Sequence, residues 1–380
     1  MNMKNLWPAA VKIAFSLAIV GFVAGCASSG PAKLKPLPLA PSAELQGVRL
    51  AWSAKVGAVN FPLDVQVIGD RVTLASSDGM VVSLNARSGG ELWRNSLSTP
   101  LAAGAGSDGR FTSVMTRANE LITLDAGREI WRKTLVAQAF TAPFVAGGRV
   151  FVLTADRTVT AFDVQSGRKL WTQQRTGESL VLRQSGVLLA VNDTLVVGLA
   201  GRLVGMNPLT GAVRWESPIA SPRGTNDIER LVDLVGQVSR FGDVVCARAF
   251  QTTIGCVDAA RGTLLWTKPA DGSVGLSGDG ESVFGAESDG RVIAWQRSDG
   301  ERQWVIETLR NRSLTAPLVV GRSVVLGDDA GLVHLLSRVD GSALTRLTTD
   351  GSAIVATPVL AGETLVVVTR TGGVFGFKPE

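Results

Sequence analysis

The chain has 380 residues, of which 45% are hydrophobic and 19% are charged, and its formal net charge is +5 at pH 7. No run of Lys or Arg is interleaved with aromatic residues, so the positive charge does not indicate nucleic-acid binding. The single histidine, His334, excludes a metal cluster of His and Cys, and a Ser-His-Asp triad would have to use it. We expect His334, which lies in an apolar strand pattern, to have a structural role.

The first segment has the pattern of a secretory signal. Lys4 and Lys12 precede or begin an apolar run, Ile13 to Val23, that is too short to span a bilayer. The sequence Val-Ala-Gly that ends in Cys26 resembles a bacterial lipobox. We predict a signal peptide at residues 1–25 and lipidation of Cys26. An ordinary secretory signal, cut near the same place, is the alternative.

The residues after the signal are predicted to form a tether. Ala27 and Ser28 stand where Asp would retain a lipoprotein elsewhere, so the resemblance implies lipid anchoring to the outer membrane on its periplasmic face. Residues 26–47 are rich in Pro, Ala and Ser and lack hydrophobic periodicity. At about 3.1 Å per residue, some 20 residues in polyproline geometry would hold a folded body up to ~60 Å from the membrane.

Residues 48–380 are predicted to form strands, because apolar runs of four to six residues, many of them β-branched, alternate with Gly and Asp turns. One repeat organises them. From Ala161 to Trp171 the chain reads as a strand end, an Asp-x-x-Ser-Gly turn and a second strand that carries Trp. Asp can hydrogen-bond the backbone two residues on and Gly accepts positive φ, so the pattern specifies a tight turn.

The spacing of the copies predicts the architecture. The Trp-type positions are 52, 93, 131, 171, 215, 266, 304 and 345, the last of them occupied by Thr345. A period of about 40 residues is the length of a four-stranded propeller blade. We predict an all-β fold, an eight-bladed β-propeller at residues 48–380. The N-terminal strand near Val48 to Ala54 is expected to complete the last blade and close the ring.

The repeat also predicts how the blades are held together. A small residue stands two positions before each turn Asp or Asn, as Ala161 and Gly205 do. We expect it to make room for the Trp of a neighbouring copy. Burial of an indole removes about 150–250 Å² from water, which is worth at most about 4–6 kcal/mol per copy.

Few other residues suggest chemistry. Cys246 and Cys256 lie on either side of a predicted hairpin turn near Gln251 and Thr252. They could form a cross-strand disulfide in an oxidising compartment, but two buried thiols offset by one register step are the favoured interpretation. Asp289 and the Asp328-Asp329 pair are interpreted as turn acids, because no calcium-loop spacing surrounds them.

The Ala-x-Asp-x-x-Ser/Thr-Gly-x-x-x-Trp repeat resembles the tryptophan-docking motif of quinoprotein propellers. Dehydrogenases of that superfamily carry pyrroloquinoline quinone and use an adjacent Cys-Cys pair, which this sequence lacks. Signal, lipobox, length and eight repeats instead resemble the BamB family, the lipid-anchored propellers of the machinery that assembles outer-membrane β-barrels. The resemblance implies a non-catalytic scaffold without a cofactor. The alternatives are a quinoprotein-type dehydrogenase and another periplasmic ligand-binding propeller.

Two stretches resemble the family's partner-binding surface. Leu180, Leu182 and Arg183 match its Leu-x-Leu-Arg segment, and Asp233 matches one acid of its second loop, whose other acidic position is Val235 here. The resemblance implies that these four residues bind the periplasmic domains of the barrel-forming BamA subunit. It leaves open whether nascent outer-membrane proteins bind too. The alternative is that both leucines belong to a strand core, because Leu-Val-Leu-Arg also fits a period of two.

Overall fold

A computed structural model describes residues 34–175, 180–223, 225–226 and 230–380. Leu34 and Lys35, the described part of a first unit at residues 1–35, are exposed, and residues 36–380 form a second unit. The described residues contain strands and no helix, as the all-β prediction required. In this part of the chain, accordingly, no helix is long and apolar enough to cross a membrane.

The strands, numbered in chain order, form eight antiparallel sheets of four, called blades 1 to 8. Blade 1 contains β2 (Gln66–Ile68), β3 (Arg71–Ala75), β4 (Met80–Asn85) and β5 (Glu91–Ser96). Blade 2 contains β6 (Gly106–Ser107), β7 (Phe111–Met115), β8 (Glu120–Asp125) and β9 (Arg128–Thr134). Blade 3 contains β10 (Phe144–Ala146), β11 (Arg149–Leu153), β12 (Thr158–Asp163) and β13 (Lys169–Gln174). Blade 4 contains β14 (Leu188–Val191), β15 (Thr194–Leu199), β16 (Arg202–Met206) and β17 (Val213–Pro218).

The second half continues the pattern. Blade 5 contains β18 (Leu234–Phe241), β19 (Val244–Ala249), β20 (Thr253–Asp258) and β21 (Thr263–Pro269). Blade 6 contains β22 (Leu276–Gly278), β23 (Ser282–Ala286), β24 (Val292–Gln296) and β25 (Arg302–Ile306). Blade 7 contains β26 (Leu318–Val320), β27 (Ser323–Gly327), β28 (Leu332–Ser337) and β29 (Ala343–Thr348). Blade 8 contains β30 (Val359–Ala361), β31 (Thr364–Val368), β32 (Gly373–Pro379) and β1 (Val48–Lys55).

The apolar runs of the sequence become the second and third strands of each blade. β7 is buried along its whole length, whereas the fourth strand of the same blade, β9, buries only Trp131. The core therefore lies between neighbouring blades, where these central strands face one another. One such cluster combines Phe151 and Trp171 of blade 3 with Leu195 and Val204 of blade 4.

The repeat forms the predicted turn between the third and fourth strands. In blade 3 the backbone N–H of Ser166 donates to Asp163 Oδ1 at 2.8 Å, and Gly167 follows with a φ of 67°. In blades 1 to 6 the Trp after this turn packs on the next blade, as expected. Trp171, for example, donates from Nε1 to the carbonyl of Pro208 at 3.0 Å.

The predicted role of the small residue before the turn is wrong. Ala161 lies directly opposite Trp171 of its own blade, and Gly205 lies opposite Trp215. The small residue thus makes room for the indole of its own hairpin. The turn glycine of the next blade receives the other face of the ring: a Cβ at Gly211 would lie 2.6 Å from Cε3 of Trp171.

The ring closes as predicted, because β1 pairs antiparallel with β32 from Val48 opposite Pro379 to Lys55 opposite Gly373. Blade 7 lacks a docking Trp and has Thr345 in its place. Gln46, just before β1, lies against this position: Thr345 donates from Oγ1 to the Gln46 carbonyl at 2.9 Å. The N-terminal segment therefore occupies the place where the eighth indole would lie.

The second half of the predicted tether is not free, which corrects its boundary. Between Pro36 and Gly47 the chain follows the outer strand of blade 7, where the N–H of Leu45 donates to the carbonyl of Leu344 at 2.8 Å. Arg346 donates to the carbonyl of Ala40 at 2.8 Å, and Leu39 packs on the core between blades 6 and 7. A row of Pro residues suits such a segment, because it lies extended and uses few of its own N–H groups.

The prediction for the two cysteines is also wrong. Cys246 and Cys256 lie directly opposite one another in β19 and β20, and they form a disulfide with a Cα–Cα distance of 3.9 Å. Ala249 pairs with Thr253, so the connection has three residues and is centred on Gln251. A centre between Gln251 and Thr252 would have offset the cysteines by one residue. A difference of one residue in loop length therefore determines whether the two cysteines can form a disulfide.

Candidate binding surface

The residues of the predicted surface lie in the connections between blades. Each connection from a fourth strand to the next first strand leaves from the end of the blade opposite the Gly turns, because the four strands alternate in direction. Leu180, Leu182 and Arg183 lie between β13 and β14, and Asp233 lies just before β18. The two leucines are outside any strand, so the alternative of a strand core does not apply to them.

The 180–183 segment presents two different side chains to solvent. Leu180 is 39% exposed and Leu182 is half-buried. Arg183 is exposed, and its guanidinium carbon lies 5.4 Å from the centre of the Phe140 ring, which is cation–π geometry. An apolar side chain and a guanidinium held on an aromatic ring thus stand side by side.

Asp233 holds this segment in place from the neighbouring connection. Its Oδ2 accepts a hydrogen bond of 2.9 Å from the backbone N–H of Leu182. Its Oδ1 lies 3.6 Å from Nη2 of Arg157, and the same Nη2 donates to the carbonyl of Leu180 at 3.3 Å. The structure therefore brings all four predicted residues together, with Asp233 oriented towards the segment.

Arg157 was missed by the sequence analysis. It is 6% exposed and lies at the end of the turn between β11 and β12, with a φ of 61°. Its N–H donates to the carbonyl three residues earlier; five other blades have Gly or Asn at the position with the same bond, and blade 5 has Thr252 there. The Gly and Asn residues are Gly79, Asn119, Gly290, Gly331 and Gly372. A long cationic side chain at a position where five other blades use Gly or Asn was the available signal.

The 180–183 connection continues to the centre of the ring. There a cavity of about 490 Å³ opens between the segments that precede the first strands, and Asp64 and Ser185 line it. The Ser185 hydroxyl donates to Asp64 Oδ2 at 2.7 Å. Burial raises the pKa of Asp64 above its ordinary value, against the smaller lowering effect of this hydrogen bond. The carboxyl consequently ionises less readily than an exposed Asp.

The other candidate residues have structural partners. His334 is buried with Nε2 3.0 Å from Asp328 Oδ2, which also accepts from Arg312 at 2.9 Å. Burial raises the pKa of Asp328, but the hydrogen bonds from His334 and from backbone N–H groups outweigh it, so the net pKa is lowered. Asp289 pairs with Arg291 and Arg310. Nowhere in the described ranges do three or more His, Cys, Asp or Glu gather in a metal-binding group. Cys26 lies outside the described residues.

Eight four-stranded blades, joined by Trp docking and closed by an N-terminal strand, define an eight-bladed β-propeller. Residues 77–306 match the family model described as outer membrane protein assembly factor BamB. An outer membrane protein assembly factor BamB of Burkholderia pseudomallei is 37% identical over 100% of both chains, and one of Bordetella pertussis is 36% identical over 96% of this chain and 95% of its own. The chain belongs to the BamB family.

Solved structures agree with the fold. The crystal structure of BamB from Moraxella catarrhalis has a TM-score of 0.80 at 24% identity and covers 87% of this chain and 99% of its own. A quinohemoprotein alcohol dehydrogenase from Comamonas testosteroni has a TM-score of 0.68 at 15% identity, over 88% of this chain and 77% of its own. At these identities both likenesses concern the architecture alone.

Proposed function

We propose that the protein is a non-catalytic scaffold in outer-membrane protein assembly that binds the periplasmic domains of a BamA-type barrel subunit. The observation that carries the proposal is the 180–183 segment, which Asp233 and Arg157 hold so that Leu180 and Arg183 face solvent. Membership of a family of assembly factors supports a role in outer-membrane protein assembly. The protein is anchored on the periplasmic face of the outer membrane through lipid on Cys26.

The exposed segment has the composition of a small hot spot. Protein interfaces obtain most of their binding energy from a few anchors, among which Arg is enriched. Leu180 offers an apolar contact, and Arg183 offers a planar fork of donors that matches a carboxylate. Because Arg183 is already held over Phe140, less side-chain entropy is lost when a partner binds.

Asp233 contributes by positioning. Both of its carboxylate oxygens face this chain's own groups, the N–H of Leu182 and the guanidinium of Arg157. Substitution of Asp233 would therefore release the segment that carries Leu180 and Arg183. Its effect on binding would come from a lost loop conformation and not from a lost contact with the partner.

Substitution of Arg183 tests the proposal. Arg183→Glu reverses a charge at the centre of the surface, so the affinity for the purified periplasmic domains of the barrel subunit should fall by about thirtyfold or more, the loss typical of a hot-spot residue. The unfolding free energy should change by less than about 0.5 kcal/mol, because Arg183 is exposed.

Arg168→Glu is the matched control. Arg168 is exposed and lies beside the Gly turn of blade 3, at the opposite end of the blade from Arg183. It should leave the affinity unchanged, because it makes the same charge reversal outside the proposed surface. If Arg183→Glu protein bound the subunit as tightly as the Arg168→Glu protein, the 180–183 segment would not be part of the interface.

A further inference from the structure

Two small cavities flank Arg157, beneath the proposed binding surface. The first, of about 60 Å³, is lined by Leu182 and Asp233 as well as Arg157. The second, of about 100 Å³, lies between blades 3 and 4 and is lined by three arginines, Arg157, Arg175 and Arg202. By this measure a single water needs about 10–15 Å³, so each cavity has room for a carboxylate group.

The charge around the second cavity is unbalanced. Arg175 pairs with Glu216 across the blade boundary, and Arg157 shares Asp233 with the 180–183 segment. Arg202 is exposed, and no acid among the described residues lines this cavity. Since Glu216 and Asp233 compensate two of the three guanidinium groups, the charge of Arg202 is left in excess, and the resulting positive potential favours an anion.

The buried guanidinium of Arg157 has hydrogen-bond donors without a partner. It is more than nine-tenths buried, and its Nε and Nη1 have no hydrogen-bond partner in the described part of the structure. Buried donors of a charged group are costly to leave unsatisfied. Nε and Nη1 lie on opposite edges of the guanidinium, so each can donate a hydrogen bond to a separate oxygen acceptor.

We propose that the second cavity, which Arg157, Arg175 and Arg202 line, is a binding site for a carboxylate side chain, an Asp or Glu that a docking protein inserts beside the 180–183 segment. This site rests on the proposed function and specifies its chemistry. Arg157 donates to the carbonyl of Leu180, so an acidic side chain that reaches Arg157 lies next to the proposed anchors. The partner surface is accordingly acidic, with one carboxylate positioned to enter.

The site is tested first on the full mature protein alone, with acetate as the probe. In protein labelled with ¹⁵N-arginine, the Nε–H signal that disappears in Arg157→Lys should shift saturably with sodium acetate, and less with sodium chloride at equal ionic strength. Arg202→Gln should weaken acetate binding about tenfold, the value of a charge-assisted hydrogen bond. Folding should be unaffected, because Arg202 is exposed. Arg168→Gln, at the other end of blade 3, should bind acetate like the wild type.

Three outcomes would overturn the site: no saturable shift with acetate, an equal shift with chloride, or tighter binding of sodium phosphate than of acetate, which would indicate a phosphate ligand. A second measurement uses the periplasmic domains of the barrel subunit, for which Arg202→Gln should also lose about tenfold in affinity. Unchanged affinity of Arg202→Gln, with normal loss in Arg183→Glu, would reject the carboxylate site and leave the proposed function standing. Acetate binding without any binding of the subunit would reject the proposed function instead.

Discussion

The docking tryptophan of blade 3 connects three places in two blades. Trp171 is 9% exposed, lies opposite Ala161 of its own hairpin and covers the turn glycine, Gly211, of blade 4. Its indole N–H reaches the carbonyl of Pro208 in the same turn. One side chain thus combines apolar burial with a satisfied polar group, which is why Trp serves better here than Phe.

The first prediction concerns this residue. Trp171→Ala should lower the unfolding free energy by about 3–5 kcal/mol, because it leaves a cavity between blades 3 and 4 and an unpaired carbonyl at Pro208. Denaturant unfolding measures the loss. Lys169→Ala, an exposed change in the same strand, is the control and should stay within about 0.5 kcal/mol. A loss below about 1 kcal/mol for Trp171→Ala would contradict the docking interpretation.

At the scale of the strands, the hairpin of β19 and β20 combines a covalent cross-link with a hydrogen bond to the neighbouring blade. The disulfide of Cys246 and Cys256 is fully buried, and Nη1 of Arg297 from blade 6 lies 3.2 Å from the Cys246 sulfur. Blade 5 is therefore joined to blade 6 at the point where its own central strands are cross-linked. A buried bond of this kind is sealed from reductants while the blades are packed.

The second prediction tests the cross-link. Replacement of both cysteines by Ala should lower the unfolding free energy by about 2–3 kcal/mol, the value expected for a closed loop of this short length. In a Cys26→Ser background, alkylation after denaturation without reductant should label neither cysteine, and with reductant it should label both. Labelling of both without reductant would show that the thiols are free.

The segment at residues 36–47 shortens the part of the chain that could act as a tether between the propeller and the proposed lipid anchor. Since this stretch lies along blade 7, the proposed spacer is limited to the nine residues between Cys26 and Pro36. At about 3.1 Å per residue, nine residues would span at most ~30 Å, about half of the distance that the composition suggested. The propeller would then be held nearer to the membrane than a fully free tether allows.

At the scale of the whole protein, one feature closes the ring and another is proposed to attach it to the membrane. Strand β1 completes blade 8, so the first and last parts of the propeller share one sheet. To open the ring at this blade, the hydrogen bonds between β1 and β32 must break. The anchor is proposed to be the lipid on Cys26. A single acyl chain binds membranes only marginally, so stable attachment requires several chains on this residue.

The third prediction follows from that requirement. Cys26→Ser removes the thiol to which lipid is attached, so the variant should leave the membrane fraction and appear in the soluble periplasmic fraction. Fractionation after a high-salt wash, together with the intact mass of the processed wild type, measures both parts. Membrane retention of the variant, with no lipid mass on the wild type, would reject the lipoprotein assignment.

Short-range chemistry explains how much of this fold could be predicted. Asp163, Ser166 and Gly167 specify their turn through hydrogen bonds that span at most four residues. The same turn recurs with a period of about 40 residues, which is sufficient for strands, blades and their number. The four surface residues at Leu180, Leu182, Arg183 and Asp233 came from resemblance, and the structure places them side by side.

The other features of the fold and of the surface depend on contacts between residues far apart in the sequence, which no local pattern predicts. Arg157 reaches Asp233 across two blade connections, Leu45 reaches Leu344 around the whole ring, and each docking Trp meets a glycine about 40 residues later. The first and last of these contacts form only once neighbouring blades pack, and the contact of Leu45 also requires that the two ends of the propeller meet. The disulfide shows the same dependence at a single hairpin. One residue of loop length sets the register between β19 and β20, and tertiary packing selects that register, because a shift by one residue moves every side chain to the other face of the sheet.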